Sequence, residues 1–87
     1  MGIIAAVAPK IDEHDGFEVF IHIKDHEPPH VHVLKDDADL RVWLDMDREA
    51  ELRGTMKRSD VRKALLLVAE RRAQYLARWN EIKPRLK

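Results

Sequence analysis

Three of the five histidines in this 87-residue chain fall inside one nine-residue stretch, Asp25-His26-Glu27-Pro28-Pro29-His30-Val31-His32-Val33. His30 and His32 are two apart, so on a strand both imidazoles leave the same face, and His22 shares their parity. Three chemistries suit such a set. His22, His30 and His32 would give three nitrogens to a zinc ion with an open position. Two imidazoles with Arg41 nearby could exchange protons while the guanidinium steadies a phosphoryl transition state, as in metal-independent RNA cleavage. The third chemistry is contact: Phe20 and Trp43 beside arginine have the composition of a protein interface, and aromatic side chains on a sheet can also stack nucleic-acid bases. The sequence favours the protein contact surface, built on Phe20, Trp43, Glu51 and Arg53, with no cofactor; the acidic balance of this half of the chain argues against nucleic acid. His26, Pro28 and Pro29 have a turn explanation, and His14 reads as solvated.

These residues need strands to position them. Phe17–Lys24 alternates, with Phe17, Val19, Ile21 and Ile23 on one face and Glu18, Phe20, His22 and Lys24 on the other. The double proline interrupts pairing. His30–Leu34 resumes with Val31 and Val33 inward. After a turn at Lys35–Ala38, Asp39–Asp45 places Leu40, Val42 and Leu44 inward and Arg41 and Trp43 outward. A turn at Met46–Arg48 leads to a weaker strand, Ala50 and Leu52 inward, Glu49, Glu51 and Arg53 outward, ended by Gly54. The apolar run Ile3–Ala8 suits a further strand, and Pro9–Gly16 reads as a loop. From Ser59, a plausible N-cap, the period becomes helical through Val61, Ala64, Leu65, Val68, Leu76 and Trp79, until Pro84. A helix over 60–82 would be about 35 Å long. Trp79 at this spacing reads as core, and Arg71-Arg72 as a solvated face.

Register follows from the turns. Leu34 facing Asp39 sets His32 against Arg41 and His30 against Trp43. Lys24 facing His30 sets His22 against His32, and Asp45 facing Glu49 sets Arg41 against Arg53 and Trp43 against Glu51. The expected result is a cationic row, His22–His32–Arg41–Arg53, beside a second row, His30–Trp43–Glu51, on the face away from the helix. Like charges opposite one another destabilise a sheet, so that row calls for an acid or an anion.

The expected fold is therefore α+β: one domain over residues 1–87, a mostly antiparallel sheet of four to five strands over about 3–54, and one long C-terminal helix packed on one face. Length allows a single modest core. Hydrophobic content of 45% argues against disorder, and the absence of cysteine excludes disulfides and thiolate metal sites. The opening MGIIAAVAPK has no basic region before its apolar run, which is too short to cross a bilayer, so a cytoplasmic protein without membrane association is expected. Net charge is zero, yet residues 1–56 carry six Lys/Arg against 13 Asp/Glu, a net −7, and residues 57–87 ten against three, a net +7. An acidic sheet half could meet the basic helix of a second copy, so a homodimer or a partner complex covering Trp43 is expected.

The Asp-His-x-Pro-Pro-His-x-His stretch at Asp25–His32, Gly54 ahead of the helix and the late Trp79-Asn80 together resemble the bacterial "domain of unknown function 4160" family. Thr55-Met56-Lys57-Arg58 stands where members often have a Leu-Pro step. Carried over residue by residue, His26, Pro28, Pro29, His30, His32, Gly54 and Trp79 match the pattern. The resemblance implies a small prokaryotic or phage protein, encoded beside a second small protein in a toxin–antitoxin-like arrangement. It implies no reaction.

Overall fold

The computed structural model describes residues 9–22, 26–45 and 50–82. Five strands, β1 (Lys10–His14), β2 (Phe17–Phe20), β3 (His30–Lys35), β4 (Ala38–Trp43) and β5 (Ala50–Arg53), pair antiparallel with their chain neighbours, in the spatial order β1-β2-β3-β4-β5. Two helices, α1 (Arg58–Glu70) and α2 (Arg72–Ile82), follow. The expected strand at Ile3–Ala8, the turn at Met46–Arg48, Ile23, Lys24, Glu49 and Pro84 lie outside the described residues.

Alternation builds the core. Phe17, Val19, Ile21, Val31, Val33, Leu40, Val42 and Leu44 are buried on one sheet face under Ala64, Leu67, Val68, Tyr75 and Trp79 of the helices. The apolar stripe dictated by period two on the strands meets the stripe dictated by period 3.6 on the helices, as two-layer packing requires. Leu65 is only half-buried and Leu66 is exposed, so the helical stripe is narrower than the run of leucines suggests. Short turns fix two hairpins. Asp15 (φ 55°) and Gly16 (φ 85°) join β1 to β2 in the left-handed conformations that two-residue hairpin turns need. Asp36, also at φ 55°, does the same between β3 and β4.

Several expectations are corrected. Residues 10–14 form a strand, not a loop; among the described residues it lies at the edge of the sheet, and its inward residue, Asp12, is polar and finds its partners on the helices. The single long helix is two. Arg71, at φ −111° and ψ 18°, separates them, although its N–H still donates to Leu67 O and its own carbonyl accepts from Tyr75 N–H. The helix begins one residue earlier than Ser59, with Lys57 as an N-cap that makes no side-chain cap bond. Asp60 sits in the first turn, favourably for the helix dipole, and lies 3.6 Å from Lys35 Nζ. Ala50 and Leu52 are exposed rather than buried, because the helical layer does not extend over β5.

At the end of β5, Gly54 has φ 89°, and a Cβ built there would stand 2.9 Å from the Asp37 carbonyl oxygen. Both the dihedral and the close approach restrict the position to glycine.

Candidate functional site

The histidines are fixed on β3 and at the exit of β2. His30 pairs across the sheet with Trp43, and His32 with Arg41, as the turn at 36–37 dictates. The other registers differ from expectation by two residues. Phe20, not His22, stands opposite His32, and Arg41 stands opposite Glu51 with Asp39 opposite Arg53. A slip of two preserves the face and changes the neighbours. The anticipated row of cations is thereby replaced by alternating charge: Arg41 Nη1 lies 3.6 Å from Glu51 Oε1, and Asp39, Arg41, Glu51 and Arg53 together line a shallow depression. These groups are exposed enough that the ion pair adds at most about 1 kcal/mol.

Neither principal imidazole is open to solvent. His30 is 5% and His32 4% exposed. The His22 ring stacks on His32, centroids 4.2 Å apart and planes 11° from parallel. His30 lies edge-on to His32 at 5.3 Å, and 5.5 Å from both Trp43 and Trp79. Trp79 belongs to the helical layer, and its Nε1 donates to Glu27 Oε2 at 3.4 Å, so α2 passes close to the approach to β3. His30 therefore touches the helical layer as well, which strand alternation does not foresee. Trp43 and Phe20, expected to be exposed, are half-buried. The Arg41 guanidinium stands 5.5 Å from the Trp43 ring centre, within reach of a cation–π attraction.

Hydrogen bonding assigns protons. His30 Nδ1 lies 3.0 Å from the Pro28 carbonyl oxygen, and His32 Nδ1 lies 3.2 Å and 3.3 Å from the two Asp39 carboxylate oxygens. Carbonyl and carboxylate oxygens only accept, so Nδ1 carries the hydrogen in both rings and Nε2 is the acceptor in a neutral imidazole. Such anchoring orients histidines that ligate metals or move protons. However, among the described residues no group of three His, Asp or Glu side chains is arranged to hold a metal ion. The His22–His32 stack places two ring systems in parallel planes instead of converging their nitrogens on one point. His26 and Pro28 are exposed in the connection before β3, and Pro29 is buried.

A second polar cluster escaped the sequence reading. On β1, Asp12 Oδ2 accepts from Arg71 Nη1 at 2.6 Å and from Tyr75 OH at 2.7 Å, while Oδ1 accepts from Glu13 N–H at 2.8 Å. Burial alone would raise the Asp12 carboxyl pKa; the bonds from Tyr75, Arg71 and the Glu13 N–H outweigh it and hold the group below its ordinary value. Burial, then the hydrogen bond to Asp12, push the Tyr75 hydroxyl well above its ordinary value. Arg71 was expected on a solvated face; it instead binds the sheet at the break between the helices. The partners lie 59 and 63 residues from Asp12 in the chain, a separation no local pattern reveals.

A five-strand antiparallel meander backed by two helices, with buried histidines on its third strand, is the class of protein seen here. The family model described as "Domain of unknown function (DUF4160)" matches residues 16–80, and the chain belongs to that family. The matched segment runs from the β1–β2 turn to Asn80, and includes the histidine stretch, Gly54 and Trp79. No curated protein and no solved structure matches the chain. Among the described residues, no helix is long and apolar enough to cross a membrane.

Proposed function

We propose that the protein is an interaction module whose outer sheet face binds a protein encoded beside it, in a toxin–antitoxin-like or phage–host system. The observation that carries this reading is the setting of Trp43. Its ring is half-buried, with the His30 ring and the Arg41 guanidinium each 5.5 Å from its centre. Tryptophan and arginine dominate binding hot spots, and a ring already held by its neighbours loses little further freedom on association. Phe20, half-buried on the same face as His32, extends the apolar area. The buried histidines support this surface from behind. Their exposures of 5% and 4% offer an RNA backbone little approach, which disfavours the ribonuclease reading with His22, His30 and His32 as acid and base and Arg41 as anion stabiliser.

One observation keeps that second reading in play: the Asp39–His32 contact at 3.2 Å is of the kind that orients a catalytic imidazole. A single set of measurements separates the readings. The purified protein is co-expressed with its genomic neighbour and chromatographed, then assayed alone for RNA cleavage and for bound zinc. The interaction reading expects co-elution with the neighbour, lost in Trp43→Ala with the fold retained, and neither cleavage nor stoichiometric zinc. Cleavage abolished by His32→Ala would replace it with the enzyme.

A further inference from the structure

We propose that the protein forms a two-fold homodimer through β5, each β5 adding antiparallel to the other with Leu52 opposite Leu52 and Glu51 opposite Arg53. This inference is independent of the partner reading, which uses the face around Trp43.

The β5 edge has what such pairing needs. All four of its residues are exposed, its pairing with β4 runs regularly over four residue pairs, and no strand among the described residues lies on its outer side. An edge of this kind presents a row of backbone donors and acceptors to any incoming strand. Leu52 stands opposite Leu40, hence on the helix side of the sheet, yet Leu40 is 2% exposed and Leu52 40%. The helices cover β4 and stop short of its neighbour. A second Leu52 would supply the missing cover.

Charge then selects the register. Residues opposed across an antiparallel pair share a sheet face, so a two-fold axis can pass through Glu51, Leu52 or Arg53 but not between them. An axis at Glu51 opposes two glutamates, and one at Arg53 opposes two arginines. Only the axis at Leu52 pairs apolar with apolar and sets each Glu51 against an Arg53. The outer face then continues the pattern already present within one copy. Arg41 is followed by Glu51, then by Arg53 and Asp39 of the second copy, and the sign alternates at every step. A four-residue edge is small beside a standard interface, so the dimer dissociates on dilution and weakens with salt.

Sedimentation velocity over a wide concentration range tests the proposal, with circular dichroism to verify folding of each variant. The wild-type protein is expected to dimerise. Glu51→Arg and Arg53→Glu, each alone, oppose like charges and stay monomeric, whereas an equimolar mixture of the two restores Arg against Glu at both positions and dimerises. Independently, Leu52→Cys in this cysteine-free chain forms a disulfide-linked dimer under mild oxidation faster than Leu66→Cys, whose parent residue is more exposed at 58%. A wild-type protein that stays monomeric throughout, a mixture that fails to dimerise although the wild type does, or equal cross-linking of the two cysteine variants would each overturn the proposal.

Discussion

Among the described residues, the sheet ends in two edges that are finished by opposite means. At β1 the ladder is irregular between Lys10 and Asp12, and the strand is bound from the helical side by Arg71 and Tyr75 through Asp12. On its other side, Lys10 reaches both Glu13 and Glu18. A bulge and a ring of charge are the usual means of keeping an edge from recruiting further strands. At β5 the ladder is regular over its four residue pairs, the residues are exposed, the two charges on the strand, Glu51 and Arg53, are of opposite sign, and Leu52 looks outward past the helices. Partly buried polar contacts bind one edge to the helices and, among the described residues, none does so at the other, which makes a sheet with one protected end and one adhesive end.

Four substitutions probe that contrast. The largest loss of stability is expected for Tyr75→Ala, which removes a ring with no exposed surface together with the hydroxyl bound to Asp12. The cost is about 4 kcal/mol, a fall in Tm on the order of 20 °C for a chain of this size, readable by thermal melting. Asp12→Ala leaves the ring in place and removes only the acceptor, at about 2 kcal/mol by urea denaturation at neutral pH.

The part of that loss that depends on the carboxylate charge should vanish in acid. The folded carboxyl ionises below its unfolded value of about 3.9, so its contribution is complete above that value and disappears as pH falls through the folded one. Wild type and Asp12→Ala are therefore expected to converge in stability at low pH. For Tyr75 the sign is reversed. Its raised value makes its contribution complete below about pH 10 and lost as pH rises through the folded value. A stability difference between wild type and Asp12→Ala that does not shrink as pH falls would remove the carboxylate charge from the account of this edge.

Smaller effects belong to the β5 end. Gly54→Ala forces a Cβ toward the Asp37 carbonyl in a left-handed conformation and is expected to cost about 1–2 kcal/mol, by the same denaturation assay. Leu52→Ser is expected to change the stability of the dilute monomer by no more than about 0.5 kcal/mol. A large effect at Leu52 in dilute solution would mean that this edge is already closed within one copy.

How much of this was legible in the sequence differs by element. β2, β3 and β4 were readable because each is half-buried and alternates, and the β3–β4 register was readable because a two-residue turn at Asp36-Asp37 leaves it no freedom. Between β4 and β5, and between β2 and β3, the connections are longer and do not fix the register, which differs by two residues from the one the turns suggest. Alternation still put Arg41, Glu51 and Arg53 on one face, but it could not tell that acids would stand opposite bases. β1 was missed because its inward residue is an aspartate, whose burial makes sense only with Arg71 and Tyr75 in place. The helix break at Arg71 has no signal in the sequence, since no glycine or proline marks it. Strand parity gave the side on which His30 and His32 project. It gave no account of their cover, which depends on Trp79 and on the His22 stack.

The strand order has a consequence for how the chain acquires this form. Each of the five described strands pairs with the one next to it in sequence, so this sheet can assemble by successive local hairpins with little loop-closure entropy at any step. The bonds from Asp12 to Arg71 and Tyr75 are of the other kind, spanning 59 and 63 residues. Contacts so distant in the chain form after the rate-limiting barrier when the nucleus is local. Loss of Asp12 should then leave the refolding arm of the chevron nearly unmoved and raise the unfolding arm. The clasp that seals the β1 edge would act as a latch on lifetime: it sets how long the finished molecule lasts, while the hairpins set how fast it forms.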